Sequence, residues 1–296
     1  MLVSIVISTY NGEAFISDQI ESILQQTIQD FELLICDDSS TDKTYSILER
    51  YATKDNRIHI QRNSTNQGFY RNYEKLLYLC KGDFIAFCDQ DDIWEARHLE
   101  LLLHAIGSKS MACGNTTLMD EDGQPRGVTN RYYEGLDRIP KNDISWARSL
   151  YFFRNPLLGN SMLFRHDILR YALPFPKANY HDAWISCLSA MANGISYVDE
   201  PITRYRRLPT SVTGLKTKRK SKIRHLIYGM ILHDRLAMSQ TILNRISDLP
   251  TKKKHFLNQV IKIVERHSTR KGRIRNRFHL LSHYYNIYNC SLLKWL

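Results

Sequence analysis

The sequence lacks a long apolar run, a C-x-x-C cysteine pair and a charged-then-apolar opening segment. The apolar run at residues 226–232 is far shorter than the roughly 20 residues that a membrane-spanning helix needs. We therefore expect no membrane span, and no signal peptide because Met1 leads directly into a strand-like segment. The six cysteines predict buried thiols of a reducing compartment, which argues against a disulfide-stabilised or zinc-binding class. The sequence predicts a soluble cytoplasmic protein.

Glycine-rich phosphate-binding motifs are missing as well. Neither the G-x-G-x-x-G dinucleotide fingerprint nor the G-x-x-x-x-G-K-[ST] loop occurs. A nucleotide phosphate would therefore have to be neutralised by a metal ion and basic side chains. By contrast, 43% of the 296 residues are hydrophobic, and 17 Tyr, 11 Phe and 4 Trp are present. This composition is globular and excludes a disordered chain.

Acidic residues become scarce towards the C-terminus. The chain holds 41 Lys and Arg and 30 Asp and Glu, but residues 202–296 hold 22 basic and 3 acidic side chains. We expect a globular body at residues 1–214 and a basic helical region at residues 215–296. Such a region is typical of proteins with an anionic partner, namely a phospholipid surface, a nucleic acid or a phosphorylated ligand. A merely solvated basic helix face is the alternative.

Strand and helix patterns alternate over the first hundred residues. Apolar, β-branched runs predict four strands, and apolar residues recur with helical spacing between them. The predicted strands cover residues 3–8, 32–36, 58–60 and 83–88. This alternation predicts an α/β fold with a parallel sheet and helices on both faces.

Polar clusters follow three of these strands, at residues 9–13, 37–42 and 89–92. Ligands of such sheets bind outside the carboxyl ends of the strands. We therefore expect the three clusters to meet in one crevice.

Three carboxylates follow the fourth predicted strand in Asp89-Gln90-Asp91-Asp92. Like charges this close raise one another's pKa unless a cation compensates them. Oxygen ligands without a neighbouring Cys or His favour a hard ion such as Mg²⁺ or Mn²⁺. Capping of a following helix is the alternative, but one acidic residue is enough for a cap. We interpret the cluster as a metal or ligand site.

Two further acidic sites each have two interpretations. Asp37 and Asp38 follow the second strand, where they could accept hydrogen bonds from a nucleobase or ribose, or form a turn and cap. Asp182 lies between a proline-rich loop and an apolar helical run, where it could cap the helix. If Asp182 also faces the crevice, it becomes a candidate general base. His181 beside it is typical of a structural hydrogen-bonding residue.

Four motifs occur in order along the chain: S-I-V-I-S-T-Y-N-G-E at 4–13, D-D-S-S-T-D at 37–42, N-Q-G at 66–68 and C-D-Q-D-D-I-W at 88–94. Read together, they resemble the family 2 glycosyltransferases of the GT-A fold over about residues 1–215. The D-Q-D-D-I-W segment is similar to that of bacterial rhamnosyltransferases and related sugar transferases of surface-polysaccharide synthesis.

The resemblance implies a GT-A catalytic domain at residues 1–214, with a Rossmann-like, mixed, mostly parallel sheet flanked by helices. It also implies an inverting, metal-dependent transfer of a hexosyl or deoxyhexosyl group. The implied donor is a nucleotide-diphosphate sugar, and the group that receives the sugar is an acceptor hydroxyl.

Matching positions imply roles for individual residues. Asp182, in an H-D pair similar to the family's E-D or H-D pair, is the implied catalytic base. Asp91 and Asp89 resemble the D-x-D motif that binds Mn²⁺ or Mg²⁺. The implied nucleotide-binding residues are Thr9, Tyr10, Glu13, Asp38, Asn66, Asp89 and Arg206. The implied acceptor-side residues are Gly159, Asn160, His181 and Trp184.

One position departs from the family pattern. Tyr205-Arg206-Arg207 resembles the Y-R start of a mobile loop from which a basic residue reaches the diphosphate. Many relatives have a metal-binding His in the stretch that follows, where this chain has Leu208. The resemblance therefore implies a cation held mainly by Asp91 and the diphosphate.

The implied acceptor is lipid-linked or an oligosaccharide. We expect residues 215–296 to dock on an anionic membrane surface, because basic side chains there stand beside aromatic and aliphatic ones. In the alternative, these helices pack on the catalytic domain or form a homo-oligomer. We expect no nucleic-acid partner, since the basic run at 216–222 has no interleaved aromatic residues for base stacking.

Two other classes of function fit the sequence less well. A nucleotidyltransferase needs a glycine-rich loop with Lys or Arg after the first strand, and residues 9–13 do not provide one. A non-enzymatic protein that binds an anionic polymer through the basic region would not need the acidic residues described above. A salt-titrated nucleic-acid-binding assay beside a donor-hydrolysis assay separates these classes.

Overall fold

The computed structural model describes residues 1–129, 139–152, 157–176, 180–207 and 222–267. At 152, 222–233 and 266–267 the structure describes the backbone alone. Leu208 and the basic run up to residue 221 lie outside the described residues, as does segment 268–296 with Cys290.

The described strands form a single mixed sheet of nine strands. They are β1 (Val3–Thr9), β2 (Phe31–Asp37), β3 (Ile58–Arg62), β4 (Phe84–Cys88), β5 (Ile93–Trp94), β6 (Met111–Met119), β7 (Pro125–Thr129), β8 (Met162–Arg165) and β9 (Ile195–Arg206). Their order is β3-β2-β1-β4-β8-β6-β9-β5, with β7 paired to β6. β3, β2, β1 and β4 are parallel, as are β6 and β9, whereas β8 is antiparallel to β4 and β6.

Helices cover both faces of this sheet. They are α1 (Ile16–Leu24), α2 (Thr44–Lys54), α3 (Phe69–Leu77), α4 (His98–Ile106), α5 (Asp143–Phe152), α6 (Leu169–Ala172), α7 (His181–Met191), α8 (Lys222–Arg245) and α9 (Thr251–His267). Successive residues of a strand point to opposite faces. Ile5 therefore joins the apolar cluster of α1, α2 and α4, while Val6 joins that of α3, α5 and α7. The prediction of an α/β sheet with helices on both faces is confirmed.

The structure also describes the state of most cysteines and the character of the helices. The cysteines that the structure describes are buried and unpaired: Cys36, Cys80, Cys88, Cys113 and Cys187. Within the described ranges, no helix is both long enough and apolar enough to cross a bilayer.

The described part of the basic C-terminal region packs on the body of the protein. Met238 and Ile242 of α8 and Leu257 of α9 belong to the same apolar cluster as Trp146 of α5. Phe256 of α9 makes an edge-on ring contact with Tyr151 of α5, the ring centroids being 5.6 Å apart. This packing corresponds to one of the two interpretations that the sequence leaves open for these helices.

A partly buried polar contact links α9 to the body of the protein. The Lys253 ammonium donates to Asp143 Oδ2 (3.0 Å) and to the Ala192 carbonyl (2.8 Å), and Lys109 donates to Asp143 Oδ1 (3.1 Å). Burial acts to raise the pKa of Asp143, but the two lysines outweigh burial and hold this pKa below its ordinary value. Asp143 is therefore ionised in the folded protein and links α5 to α9.

We expect Lys253→Met to lower the free energy of unfolding by about 1–3 kcal/mol at pH 7, the usual contribution of hydrogen bonds to charged groups. Lys252→Met is the matched control, because Lys252 is exposed. The Asp143 pKa is depressed on folding, so its contribution is present above the unfolded pKa of about 3.9 and is lost as the pH falls below it. Urea titrations should show the penalty shrinking below about pH 4. Equal penalties for the two variants at pH 7 would contradict this account.

Candidate active site

Three loops at the carboxyl ends of β1, β2 and β4 are joined by hydrogen bonds. The Gln90 amide pairs with the Tyr10 backbone, accepting from its N–H (2.9 Å) and donating to its carbonyl (3.1 Å). Asn11 Oδ1 accepts from the Thr41 N–H (2.9 Å). The predicted convergence of the three polar clusters on one crevice is therefore confirmed.

Gly12 permits the contact between the first and third loops. A Cβ atom at this position would lie 2.5 Å from Gln90 Oε1, closer than side chains approach one another. The preceding Asn11 has a φ of 48°, a left-handed conformation that Asn tolerates better than most residues. An Asn-Gly pair is a typical turn signal in a sequence. The role of Gln90 has no such signal, because a Gln between acidic residues is not typical of any one structure.

The predicted nucleotide-binding residues divide into a buried and an exposed group. Thr9 is fully buried and donates to Asp37 Oδ1 (3.3 Å). Tyr10, Glu13 and Asn66 are exposed at the crevice loops. A ligand in the crevice could therefore contact Tyr10, Glu13 and Asn66 directly. Thr9 is out of its reach and stabilises the loop through Asp37.

Asp38 is a buried hub for the loop at 63–68. Its carboxylate accepts from the backbone N–H groups of Gln67 (2.7 Å) and Gly68 (2.8 Å) and from Asn63 Nδ2 (2.8 Å). Burial acts to raise the Asp38 pKa, but these hydrogen bonds outweigh it and lower the pKa. Asp38 therefore carries a negative charge that fixes this wall of the crevice.

A basic cavity of about 460 Å³ opens beside the same loop. Arg62, Arg71 and Lys75 line it together with polar side chains. Arg71 and Lys75 are one helical turn apart on α3, a spacing that could have drawn attention to them in the sequence. An anionic ligand in the crevice would be attracted by these residues.

The acidic cluster after β4 separates into an accessible pair and a buried member. Asp89 and Asp91 are partly exposed, whereas Asp92 is completely buried. Asp92 accepts hydrogen bonds from the Arg206 backbone N–H (2.8 Å) and from the Asn160 amide. Asp92 thereby joins the end of β9 and the turn at Gly159–Ser161 to the cluster. From the sequence alone, the buried Asp92 could not be told apart from its partly exposed neighbours Asp89 and Asp91.

Negative charge accumulates at the accessible pair. Burial, Asp91 and Asp182 together raise the pKa of Asp89 to about 7. Burial also raises the pKa of Asp91, and the Arg206 charge acts in the opposite direction. The crowding is relieved if a cation binds between these carboxylates.

The donor set fits a hard divalent cation. Asp91 and Asp89 offer only oxygen, the ligand that Mg²⁺ and Mn²⁺ prefer. Among the described residues, no group of three or more His, Cys, Asp or Glu side chains is arranged to hold a metal ion. One or two carboxylates, completed by substrate phosphates and water, are the usual environment of a catalytic Mg²⁺.

Asp182 lies in the first turn of α7, close to the turn at Gly159–Ser161. A Cβ atom on Gly159 would lie 3.5 Å from the Asp182 Cβ, so the two segments are in contact. The Asp182 carboxylate accepts from the Ala183 N–H (2.6 Å), remains partly exposed, and has its pKa raised to about 6 by burial. A partly exposed carboxylate with a raised pKa is suited to taking up a proton.

His181 connects Asp182 to the acidic cluster through ring stacking. Its ring stacks on Tyr73 at a centroid distance of 3.9 Å, and the Tyr73 hydroxyl donates to Asp89 Oδ1 (3.2 Å). Burial lowers the pKa of His181 to about 3, so the ring is neutral. His181 therefore holds the start of α7 against the end of β4, which is a positioning role.

The remaining predicted site residues make internal contacts. Trp184 is completely buried and donates to the Ala172 carbonyl (3.1 Å), the contacts of a core residue. Asn160 is also completely buried. Arg206, expected at the start of a mobile loop, ends β9 as a buried residue and donates from Nε to the Asp91 carbonyl (2.9 Å) and from Nη1 to the Glu121 carbonyl (2.6 Å). Arg206 therefore stabilises the loop at residues 89–92 through the Asp91 carbonyl.

A mixed α/β sheet with an acidic cluster beyond its central strands, facing a second carboxylate on an adjoining helix, defines the class of a GT-A enzyme. The family model described as "Glycosyl transferase family 2" matches residues 4–171. The chain belongs to this family, as its motifs predicted.

Curated relatives extend the match. The chain is 31% identical over 250 residues to the UDP-Glc:alpha-D-GlcNAc-diphosphoundecaprenol beta-1,3-glucosyltransferase WfgD of Escherichia coli, covering 83% of this chain and 92% of that protein. It is 28% identical over 226 residues to the putative teichuronic acid biosynthesis glycosyltransferase TuaG of Bacillus subtilis, covering 75% and 85%.

Solved structures share the fold. TarS 1–349 of S. aureus in complex with UDP-GlcNAc superposes with a TM-score of 0.62 at 18% identity, over 97% of this chain and 80% of that one. The mannosyltransferase PcManGT of Pyrobaculum calidifontis, solved with GDP-Man and Mn²⁺, gives a TM-score of 0.56 at 16% identity, over 95% and 74%. The predicted GT-A fold is confirmed.

Proposed function

We propose that this family 2 glycosyltransferase moves a sugar from a nucleotide-diphosphate donor to an acceptor hydroxyl in bacterial surface-polysaccharide synthesis, with inversion at the anomeric carbon. The observation that carries the proposal is the convergence of the Asp89 and Asp91 carboxylates with Asp182 at one crevice. WfgD is named for transfer from UDP-Glc to a sugar on diphosphoundecaprenol, and TuaG for teichuronic acid biosynthesis. A UDP-sugar and a lipid-diphosphate-linked acceptor are therefore the first substrates to test.

The exposed loop residues form the donor side in this proposal. Tyr10, Glu13 and Asn66 contact the nucleotide, while Thr9 and Asp38 hold the loops that present them. The Arg62, Arg71 and Lys75 cavity adds positive charge beside these loops. This division assigns direct contact only to residues that a ligand can reach.

Asp91, with Asp89, would hold Mn²⁺ or Mg²⁺, and the bound cation would supply positive charge to the departing diphosphate. Arg206 fixes the backbone of this loop through the Asp91 carbonyl. Leu208, outside the described residues, contributes no ligand atom in this scheme because its side chain is a hydrocarbon.

Asp182 takes the proton from the acceptor hydroxyl as its oxygen attacks the anomeric carbon. The bond to the diphosphate breaks as the new glycosidic bond forms, so one displacement inverts the anomeric centre. Gly159, without a side chain, allows its turn to pack closely against His181 and Asp182 at the start of α7. His181, Asn160 and Trp184 keep α7 and the Gly159 turn in position through their buried contacts.

A thermal-shift screen of nucleotide sugars with and without Mn²⁺ tests the donor assignment. A ligand present at 100 times its Kd stabilises a protein by about 2.7 kcal/mol. We expect a UDP-sugar to raise the melting temperature in the presence of Mn²⁺ and to do so much less in chelator. The absence of any metal-dependent shift across the UDP-, GDP-, TDP- and CMP-sugars would contradict the proposal.

The basic C-terminal region would bring the enzyme to its acceptor at an anionic membrane surface. The exposed Lys252, Lys254 and Lys262 of α9 are part of this region. Each Lys or Arg near such a surface contributes about 1 kcal/mol, which salt weakens. Co-sedimentation with phosphatidylglycerol vesicles, but not with phosphatidylcholine vesicles, is the expected result. Two results at low salt would contradict it: equal binding to both kinds of vesicle, or binding to neither. Either result would favour helices that only pack on the body or form a homo-oligomer.

A further inference from the structure

Gln90 stands in the chain between the two proposed metal ligands, Asp89 and Asp91, and its side chain binds the backbone of another loop. Its Oε1 accepts from the Tyr10 backbone N–H (2.9 Å), and its Nε2 donates to the Tyr10 carbonyl (3.1 Å). One side-chain amide therefore engages both polar backbone groups of Tyr10. Gln90 itself is partly exposed, so this contact lies at the crevice and not in the core.

The loop at residues 10–13 is attached on its other side to the segment after β2. The backbone N–H groups of residues 11–13 donate to side chains of that segment, namely Ser40 Oγ (3.0 Å), Thr44 Oγ1 (2.8 Å) and Asp42 Oδ2 (3.1 Å). Within the described part of the chain, the hydrogen bonds between residues 10–13 and 89–92 are the two made by Gln90. Gln90 is therefore the polar link between the nucleotide side and the cation side of the crevice.

Gly12 shows how closely Gln90 is seated on this loop. The backbone of Gly12 does not lie in the left-handed region, so its conformation does not require glycine. The three atoms nearest to a Cβ built at this position all belong to the Gln90 amide, the closest being Oε1 at 2.5 Å. It is the contact with Gln90 that requires the absence of a side chain at position 12.

Two other roles of Gln90 agree less well with these contacts. As a cation ligand, its Oε1 would have to leave the Tyr10 N–H, and a neutral amide would not relieve the crowded charge of Asp89 and Asp91. As a direct donor contact, the amide would again have to give up a hydrogen bond, since both its oxygen and its nitrogen are engaged with Tyr10.

We propose that Gln90 is a positioning residue for donor binding, which fixes the loop at Tyr10 against the loop that carries Asp89 and Asp91. This inference rests on the proposed function, in which the nucleotide contacts the first loop while its diphosphate meets a cation at the second. Groups that must be ordered on binding reduce affinity. A donor that finds the two loops already joined avoids that cost.

Calorimetry and steady-state kinetics of Gln90→Ala and Gln90→Met test the inference, with Mn²⁺ and the UDP-sugar selected by the thermal-shift screen. We expect the donor Kd and KM to rise about tenfold and kcat to change less than about threefold, because the lost contact supports ground state and transition state alike. Gln90→Met keeps the length of the side chain without its hydrogen bonds, so it should behave as Gln90→Ala does. The matched control is Gln25→Ala, at an exposed glutamine at the end of α1, which should leave all three constants unchanged.

A substitution on the facing loop tests the same contact from its other side. Gly12→Ala places a methyl group against the Gln90 amide and should also raise the donor Kd about tenfold. When Gly12→Ala is combined with Gln90→Ala, the obstructing amide is gone, so the Kd should be no higher than in Gln90→Ala alone. If Gly12→Ala alone does not fold, the combined variant should fold for the same reason.

Three results would overturn the inference. They are a wild-type donor Kd in Gln90→Ala and Gln90→Met, a combined variant in which the two increases in Kd multiply, and a combined variant that fails to fold although Gln90→Ala folds. A wild-type protein that binds no nucleotide sugar in the presence of Mn²⁺ would instead overturn the proposed function.

Discussion

Asp182→Asn is expected to lower kcat by about 10²–10⁴-fold, the usual contribution of a general base, while donor affinity stays nearly unchanged. The amide cannot take the proton of the acceptor hydroxyl. Its oxygen can still accept from the Ala183 N–H, so the local contact at the start of α7 is kept. Turnover and donor binding, measured on the same preparation, give the result.

Asp167→Asn is the matched control for this variant. Asp167 is an exposed acid in the first turn of the short helix His166–Ile168, outside the crevice contacts. We expect normal kcat from it. If Asp182→Asn lowers the melting temperature while the folded fraction turns over normally, Asp182 is a structural residue and the assigned base is wrong.

Asp91→Asn is expected to abolish measurable transfer and to remove most of the Mn²⁺-dependent stabilisation by the donor. The substitution keeps the shape of the side chain but removes the charge that a divalent cation requires. Donor thermal shifts with and without Mn²⁺, beside a transfer assay, measure both effects.

Asp92→Asn separates the metal effect from damage to the loop. Asp92 is buried and contacts the Arg206 backbone and Asn160, so this variant should lose stability while the folded fraction keeps its metal dependence. Wild-type activity in Asp91→Asn, or full activity of the unaltered protein in excess chelator, would contradict a cation held by Asp91.

The parallel half of the sheet could be predicted because its strands have a strong and simple pattern. Strands β1, β2 and β4 are apolar on both faces, since helices cover both, and each ends abruptly in polar residues. The positions of the acidic clusters follow from that topology. Helix α1 was equally visible, because Ile16, Ile20 and Ile23 form one buried stripe.

The second half of the sheet was hidden because its pairing is non-local. Strand β6 pairs with β8 and β9, and β9 runs from Ile195 to Arg206 with bulged register against β6. These strands lie far apart along the chain, so local periodicity does not indicate that they pair. The motifs indicated the carboxylates that we propose as metal ligands and base, but not the hydrogen bonds that position their loops, such as those between Gln90 and Tyr10.

The C-terminal helices show what composition leaves open about packing. Their many basic residues predict a basic helical region, and within it α9 buries Leu257 and Val260 on one side and exposes Lys254 and Lys262 on the other. Lys253 is basic and buried at once, because Asp143 compensates its charge. Whether a lysine faces solvent or a carboxylate of another helix is decided by tertiary contacts that a sequence does not display.

The anomeric configuration of the transferred sugar tests the account most directly. The purified enzyme, a UDP-sugar selected by the thermal-shift screen, Mn²⁺ and a synthetic lipid-diphosphate-linked sugar acceptor would be combined, and the proton coupling at the new glycosidic bond measured by NMR. A single displacement assisted by Asp182 predicts a configuration opposite to that of the sugar in the donor. It also predicts that the product is lost in Asp91→Asn and forms about 10²–10⁴-fold more slowly in Asp182→Asn. Retention of the donor configuration, or transfer that survives Asp182→Asn undiminished, would contradict it.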